Sequence, residues 1–263
     1  MTRRIKRLTD FEVTLAIKND EFIRPPREMQ RNWLLNRAIN EFVHDLGHLD
    51  RLSRRFVPGA EGNAIEERGD AVLADEAIME DWQIPLMEAM AQIVTESRGH
   101  ILEVGFGRGI SADLIQQRGV RAHTIVECND SVIERFHAWR SRYADRDIRL
   151  IEGKWQDVVD QLEMYDGIFF HTYPLDHEEY LEYVFRSVTF AEHFFPTAAA
   201  HLLPGGIFTY FTAEIDSFSR AHQCLVFRYF KEFTLRIVDN LPLPPDVKDS
   251  WWIDAMVVIK AVK

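Results

Sequence analysis

Three glycines at alternate positions, Gly105, Gly107 and Gly109, directly follow the run ILEV, and helical spacing of apolar residues resumes after them. Glycine adopts backbone conformations that a Cβ forbids and lets a ligand approach the main chain closely. Glu127 comes 22 residues after Gly105, at the end of the next strand-like run. A carboxylate at that place can accept hydrogen bonds from both hydroxyls of a ribose. Together, the two features indicate a site for a nucleoside-containing cofactor.

The spacing of these glycines separates two classes of cofactor. The dinucleotide fingerprint G-x-G-x-x-G needs glycine at the position where this chain has Ile110, and the spacing here is G-x-G-x-G. This departure disfavours a pyrophosphate bound at a helix N-terminus. The pattern E-V-G-x-G-x-G followed by an acidic strand end is instead typical of a site for S-adenosylmethionine. We therefore expect S-adenosylmethionine as the cofactor and S-adenosylhomocysteine as its product.

Strand-like runs alternate with segments of helical period from His100 onward. This alternation predicts a parallel sheet with helices on both faces, in which ligands bind at the carboxyl ends of the strands. The last two runs, 233–241 and 255–263, are joined by a loop without a helix, which predicts an antiparallel pair. The expected fold is α/β, a Rossmann-like doubly wound sheet of seven strands with an antiparallel last strand. The five earlier runs are 100–106, 122–127, 148–153, 165–173 and 205–212.

The N-terminal part of the chain differs from the rest. Apolar residues recur at helical spacing over 35–56, which predicts a long amphipathic helix. This helix either packs on the main core or forms a dimer seam or a cap over the site, so one expectation is a homodimer through the N-terminal helices. Residues 57–74 are rich in glycine and charge and are expected to form a mobile connection or lid.

A second amphipathic segment runs from Asp75 to Ser97. Pro85 lies inside it, and a proline inside a helix removes a hydrogen bond, so we expect a kink or a break near Ile84. The expected organisation is a helical N-terminal extension or lid over 1–74 and a catalytic domain over 75–263.

Composition limits the function classes. The net charge of −11 disfavours a nucleic-acid partner, because phosphate binding needs clustered Lys and Arg, and it favours a small-molecule ligand. The longest apolar runs are far shorter than the ~20 residues that span a bilayer. The basic start MTRRIKRLTDFEV lacks the apolar segment of a secretory signal. We therefore expect no membrane partner and a cytoplasmic location.

Cysteine and histidine spacing gives no metal signature. Cys128 and Cys224 lie far apart, so the chain encodes neither a disulfide framework nor a structural zinc site. His44 and His48 share a helix face, but no third ligand lies near them in the sequence. No metal is expected.

Six blocks carry a specific resemblance to guanidinoacetate N-methyltransferase and its relatives. The resemblance covers roughly residues 70–263, and the stretch 1–55 is not part of it. In chain order the blocks are IMEDWQIPLM, ILEVGFGRG, IVECNDSVIERFHAW, GKWQDV, GIFFHTYPLD and LLPGGIFTYFT.

The resemblance implies contacts with S-adenosylmethionine along this order. Four of the implied residues have simpler interpretations. Met79, Met87 and Trp155 can be core packing, and Cys128 can be a small apolar residue. The implied residues are Gly105, Gly107 and Gly109 at the methionine moiety, Glu127 at the ribose, Cys128, Asn129, Lys154 and Trp155 at the adenine, Met79 and Met87 against the cofactor, and Phe56 at the lid.

The acceptor side departs from the family. There, two carboxylates hold a cationic guanidinium, at positions where this chain has Gln83 and His171. Loss of both anions disfavours guanidinoacetate, because a buried cation needs charged partners. His171, with an ordinary pKa near 6.5, is suited to accept a proton from the acceptor, unless it only hydrogen-bonds a backbone carbonyl. Tyr173 either donates a hydrogen bond to the acceptor or stacks under it.

The segment after the fifth strand borders the acceptor pocket in the family. It contains Thr212, Ala213 and Glu214, which we include with Gln83 among the expected substrate-binding residues. The Glu214 carboxylate either restores recognition of a cation or caps a helix beginning near Asp216.

The expected function is methyl transfer from S-adenosylmethionine to a small molecule. The nitrogen of an amino, guanidino or heterocyclic metabolite in a biosynthetic pathway is the favoured acceptor. One alternative is an O-methyltransferase acting on a phenol, enol or carboxylate with His171 as base. Another is an N-methyltransferase of free or protein-bound arginine.

Overall fold

The computed structural model describes residues 68–180, 182–183, 187–212, 214, 218–244 and 254–263. Nearly all of them belong to one compact unit, 61–215 with 221–263. The predicted first helix with its dimer seam, the lid residue Phe56 and the substrate-binding residue Ala213 lie outside the described residues and remain predictions. Among the described residues, no helix combines the length and apolar character that crossing a membrane requires.

A seven-stranded sheet organises the chain, and its order is β3-β2-β1-β4-β5-β7-β6. The first five strands are parallel to one another, whereas β7 is antiparallel to both β5 and β6. The predicted fold, with its antiparallel end, is therefore confirmed. The strands are β1 His100–Val104, β2 Ala122–Glu127, β3 Ile148–Glu152, β4 Tyr165–Phe170, β5 Leu202–Thr212, β6 Glu232–Val238 and β7 Met256–Val262.

The strand order reverses between β1 and β4. Both strands run parallel and in register, so that Val104 at the end of β1 pairs with Phe170 at the end of β4. Ligands of doubly wound sheets bind outside the carboxyl ends of the strands at such a reversal. Two segments therefore meet at this point, the glycine loop after β1 and the loop that begins with His171 after β4.

Seven α-helices are described between and around these strands. The predicted break near Ile84 is confirmed, because a helix begins at Ile84 with Pro85 in its first turn. N–H groups in the first turn have no acceptor within the helix, so a proline there costs no helical hydrogen bond. The helices are α1 Asp75–Ile78, α2 Ile84–Val94, α3 Ile110–Gln117, α4 Asp130–Arg140, α5 His177–Tyr180, α6 Phe195–His201 and α7 Arg220–Tyr229. Short 3-10 turns span Asp81–Gln83, Ser141–Tyr143, Val159–Gln161 and Phe190–Phe194.

Two apolar clusters fix the helices that carry the glycine loop and the β2 end. One packs the buried face of α2, including Met87 and Met90, with residues of β1, β4 and β7. The other joins Phe106 of the glycine loop to Phe136 and Trp139 of α4 in edge-to-face ring contacts of 5.4 and 5.3 Å between centroids. Burial of each such side chain stabilises the fold by about 1.5–3 kcal/mol.

Candidate active site

The glycine loop has a backbone that other residues rarely adopt. The φ angles of Gly105, Gly107 and Gly109 are +92°, +55° and +76°. A Cβ at Gly105 would overlap the carbonyl oxygen of His171, and one at Gly109 would lie 2.8 Å from Cζ of Phe106. The prediction that these three glycines adopt backbone conformations that a Cβ disfavours is therefore confirmed. At Gly105, the group that comes close to the glycine is the backbone of the loop after β4.

Glu127 joins the loops that follow β1 and β2. One carboxylate oxygen, Oε2, accepts hydrogen bonds from the backbone N–H of Phe106 at 2.9 Å and of Gly107 at 3.4 Å. The other, Oε1, accepts from Cys128 at 2.8 Å and from Asn129 at 3.0 Å. This structural role was not predicted. A carboxylate has about four lone-pair sites, so a ribose hydroxyl would have to replace the long bond to Gly107.

A cleft that is open to solvent lies beside this carboxylate, at the carboxyl ends of the strands. Its wall contains residues from the β1, β2, β3 and β4 loops, so residues far apart in sequence meet there. Six of the predicted site residues line it: Gly105, Glu127, Cys128, Lys154, Trp155 and Tyr173.

The wall residues show how the cleft is built. Burial, followed by the charge of Glu127, raises the pKa of the Cys128 thiol to about 12, so this side chain is an uncharged part of the wall. Trp155 makes an edge-to-face contact with Phe194 at 5.1 Å between ring centroids. It therefore packs on the core and lines the cleft at once. Lys154 lies nearby, with Nζ 3.8 Å from a carboxylate oxygen of Glu179.

Asn129 contacts the N-terminal segment rather than lining the cleft. Its side-chain oxygen accepts from the N–H of Val132 and caps α4, while its amide nitrogen lies 2.6–3.1 Å from three carbonyl oxygens of residues 68–71. Arg68 also donates from its backbone to Leu175 and places its guanidinium 4.5 Å from the ring centroid of Tyr173. The described part of the expected mobile connection, 68–74, is thus held by hydrogen bonds.

Met79 and Met87 lie in the core cluster around α2. Their exposed fractions are 7% and 0%, and neither is among the residues that line the cleft. This placement agrees with the alternative interpretation of both as core residues, and their contact with the cofactor remains a prediction.

On the acceptor side, His171 is the first residue after β4. Its backbone N–H donates to the carbonyl of Val104 at 3.2 Å, and its ring lies 5.4 Å from that of Phe211. Burial lowers the pKa of its imidazole to about 4, so the expected value near 6.5 was too high. Within the described residues, neither ring nitrogen has a hydrogen-bond partner. The ring is therefore neutral at physiological pH and can accept a hydrogen bond from a ligand.

Gln83 ends the 3-10 turn that precedes α2. Its side-chain oxygen is buried and has no hydrogen-bond partner among the described residues. Leaving a buried acceptor unpaired costs about 1–3 kcal/mol, so the site favours a ligand that donates an N–H or O–H to this oxygen. This is the position at which the family carries one of its two carboxylates.

Glu214 belongs to a buried hydrogen-bonded chain that sequence reasoning missed. Its Oε2 lies 2.9 Å from Nδ1 of His222, whose Nε2 lies 2.7 Å from the hydroxyl of Tyr210. All three side chains are buried, and burial together with the charge of Glu214 raises the pKa of Tyr210 well above its usual value. With Glu214 ionised, His222 donates to it and Tyr210 donates to His222. Thr212 lies beside this chain and accepts from the Glu214 N–H at 3.3 Å.

The helix near this segment begins at Arg220, so the prediction of a start near Asp216 is wrong. The Glu214 carboxylate reaches the third residue of that helix, His222. No local pattern pointed to His222 or Tyr210, because the contact depends on the packing of α7 against β5.

The fold and the site together define a class of protein. A sheet of this order, a glycine loop that excludes side chains and a carboxylate at the end of β2 are the features of an S-adenosylmethionine-dependent methyltransferase. The cradle that a Cβ would fill and the cleft beside Glu127, with Cys128 and Trp155 in its wall, fit this cofactor.

The comparison with protein families agrees. The chain matches the guanidinoacetate N-methyltransferase family over residues 61–235, which is more than half of its length. It belongs to this family. The protein is therefore a methyltransferase whose cofactor is S-adenosylmethionine.

The chain is also similar to curated proteins named protein arginine N-methyltransferase 2. The one from Saccharomyces cerevisiae is 25% identical over 72% of this chain and 48% of its own length. The one from Gibberella zeae is 30% identical over 44% of this chain and 30% of its own length. The chain thus spans about half the length or less of these relatives.

Two solved structures show weaker similarity. The precorrin-6y C5,15-methyltransferase of Geobacter metallireducens GS-15 has a TM-score of 0.49 and 12% identity over 73% of this chain and 93% of that chain. The O-methyltransferase of Bacillus cereus in complex with SAH has a TM-score of 0.44 and 15% identity over 86% and 97%. These similarities add nothing to what the sheet topology shows.

Proposed function

We propose that the protein transfers a methyl group from S-adenosylmethionine to a nitrogen atom of a small molecule. The acceptor is an amino, guanidino or heterocyclic nitrogen of a biosynthetic metabolite. The family and the relatives named above are N-methyltransferases, which supports nitrogen. Neither nucleic acid nor membrane is a partner in this proposal.

The uncharged acceptor side carries the proposal. His171 is neutral because burial holds its pKa near 4, and Gln83 has no charge at any pH. A cationic group in this place would lose water without gaining a charged partner, which is unfavourable by several kcal/mol. A neutral nitrogen, whose lone pair is free to attack, is therefore favoured over a guanidinium ion.

The roles of the chain follow from this chemistry. When bound, S-adenosylmethionine supplies an electrophilic methyl group, and the protein must hold an unprotonated lone pair against it. The Gln83 oxygen is placed to accept an N–H of the acceptor and so to orient its lone pair. His171 would accept a second hydrogen bond from the acceptor and, where the acceptor is a weakly basic heterocyclic nitrogen, would take up the proton that this nitrogen releases as it becomes methylated.

An O-methyltransferase is less well supported. The family and the relatives named above are N-methyltransferases, and no described residue of the site favours oxygen over nitrogen as the acceptor. Methylation of arginine is the second candidate, because the relatives named above are protein arginine N-methyltransferases.

The test is transfer of labelled methyl from S-adenosylmethionine to two substrate pools. A metabolite extract and a protein lysate are incubated separately with the enzyme, and labelled products are identified by mass spectrometry. The proposal predicts label on the nitrogen of a metabolite. Label only on arginine side chains of the lysate would favour the second candidate, and label on oxygen would overturn the assignment to nitrogen.

A further inference from the structure

The two edges of the sheet differ in how they are covered. At one edge, the apolar residues Ile148 and Leu150 of β3 pack against the cluster of Phe136, and Arg149 pairs with Glu163 at 2.8 Å. Both edge strands have one neighbour in the sheet, β2 for β3 and β7 for β6. Their apolar side chains differ, because those of β3 are covered by the chain itself, whereas Leu235 and Ile237 of β6 are exposed.

Exposed apolar side chains concentrate at the β6 edge. Leu235 and Ile237 are 43% and 59% exposed, and Phe227 of α7 is 57% exposed. These are three of the six large hydrophobic residues that the described part of the chain exposes. Phe227 contacts Phe233 at 5.0 Å between ring centroids, so the patch runs from the strand onto the helix.

The edge lacks two of the features that prevent strand pairing in natural proteins. These features are a proline and a bulge in the edge strand. β6 contains no proline, and its seven residues pair with β7 in one constant register without a bulge. It therefore presents a regular outer edge.

The charges of β6 are arranged for pairing with a second copy of itself. Glu232 and Arg236 lie equally far on either side of Thr234. In an antiparallel pair of β6 strands centred on Thr234, each Glu232 stands opposite the partner's Arg236. Opposite charges directly across a strand pair attract, and like charges repel. Within the described residues Glu232 has no ion pair, and Arg236 bonds only the neutral Gln92, at 2.7 Å.

We propose that two copies of this chain dimerise by antiparallel pairing of their β6 strands, which joins two seven-stranded sheets into one. The two-fold axis passes beside Thr234 and is perpendicular to the sheet. The α7 helices of the two copies therefore lie on the same face of the joined sheet. Alternation along β6 puts Phe233, Leu235 and Ile237 on one face, and the Phe227 contact identifies this face as that of α7. The apolar patches of the two copies are then adjacent, with the charge pairs on the opposite face.

Charge reversal tests both the interface and its register. The dissociation constant of the full chain is measured by sedimentation velocity for E232R, R236E and the double variant E232R/R236E. Each single change turns two attractive pairs of the dimer into repulsive ones and is expected to raise the dissociation constant about tenfold or more. The double variant restores both pairs and should return to within about threefold of the parent.

Two further variants complete the test. I237K should also weaken the dimer, and M164K, at a similarly exposed residue remote from β6, should not. Unchanged thermal unfolding and cofactor binding show that each variant is folded. A monomeric parent chain overturns the proposal. A dimer that tolerates the single reversals also overturns it, because the contact would then lie elsewhere, such as at the predicted N-terminal helix. The proposal is likewise overturned if the double variant fails to restore the affinity that the single reversals lower.

Discussion

The cleft on the cofactor side and the residues expected to form the acceptor side are built differently, and Gln83 and His171 are not among the residues that line the cleft. On the cofactor side, the polar groups are satisfied by the chain itself, as the four N–H groups around Glu127 show. On the acceptor side, the side-chain oxygen of Gln83 is buried and has no partner among the described residues. We therefore expect the cofactor side to be formed before ligands bind and substrate choice to depend on the acceptor side.

The two sides share one electrostatic property. Burial raises the pKa of Cys128 to about 12 on the cofactor side and lowers that of His171 to about 4 on the acceptor side. The directions are opposite, but both shifts keep the group uncharged, because desolvation disfavours the charged form of an acid and of a base alike.

The largest effect is expected from a side chain added to the glycine loop. In Gly105→Ala, the new methyl group overlaps the carbonyl oxygen of His171 at a φ of +92°. The loop must move, and S-adenosylmethionine affinity measured by calorimetry should fall by more than about 1,000-fold, which corresponds to about 4 kcal/mol.

Gly205→Ala is the matched control for this change. Gly205 has a φ of +78°, and a Cβ there meets no atom within 4 Å. It therefore carries the backbone strain without the overlap, and its cofactor affinity should stay within about threefold of the parent if the strain alone is tolerated. Equal losses in the two variants would show that the close approach of the β4 loop does not shape the cofactor side.

Glu127→Ala should have the next largest effect. Removal of the carboxylate leaves four backbone N–H groups without their acceptor, and each bond to a charged group contributes about 1.5–3 kcal/mol. Both cofactor affinity, by about 300-fold, and the thermal midpoint should therefore fall. The control is Glu152→Ala, an exposed residue paired with Glu127 in the adjacent strand. Retained affinity in Glu127→Ala would show that the ribose is held elsewhere.

Much of the cofactor side could be predicted from sequence because its signals are local. A glycine loop after a strand and an acid at the end of the next strand occupy fixed places in a doubly wound sheet, so Gly105 and Glu127 were expected in one site. The family resemblance added Cys128 and Trp155, and all four residues lie in one cleft. The antiparallel end of the sheet and the break at Pro85 follow from similarly local patterns. The second use of Glu127, as a tie between two loops, was missed because it depends on backbone N–H directions that sequence does not give.

The acceptor side could be predicted only in part. The exchange of two carboxylates for Gln83 and His171 is visible in the sequence, but the pKa of His171 depends on how deeply the fold buries it. The partner of Glu214 was not predictable either, since His222 reaches it only through the packing of α7 against β5. Long-range contacts of this kind have no periodicity that a sequence pattern can reveal.

His171→Ala is expected to lower turnover by about 100-fold while cofactor affinity changes only a few-fold, because a group that accepts the acceptor's proton acts in transfer and not in cofactor binding. Steady-state kinetics and calorimetry on the same preparation separate the two quantities. His177→Ala, in α5, is the control histidine. Unchanged turnover in His171→Ala would leave the ring with a packing role only.

The pH dependence sharpens this prediction. Because burial lowers the pKa of His171 from 6.5 to about 4, the folded state disfavours its protonation. Its contribution to stability is complete above pH 6.5 and is lost as the pH falls towards 4. The acid limb of kcat/KM that belongs to His171 should likewise lie near pH 4. A limb near 6.5 that disappears in His171→Ala would contradict the burial of the ring.

The smallest effect is expected from Tyr210→Phe, which tests whether Glu214 acts in chemistry or in structure. Loss of the hydroxyl removes the donor to His222 and leaves a buried nitrogen unpaired, so the free energy of unfolding should fall by about 1–3 kcal/mol. If the chain of Tyr210, His222 and Glu214 only supports the loop after β5, turnover at a temperature well below unfolding should stay within about threefold. The control is Tyr229→Phe, which removes a tyrosine hydroxyl at the end of α7, the helix that carries His222. A fall in turnover of tenfold or more, with a displaced pH profile of turnover, would instead mean that the protonation state of Glu214 affects methyl transfer. The hydrogen-bonded chain of Tyr210, His222 and Glu214 would then belong to the acceptor side, whose function depends on the substrate.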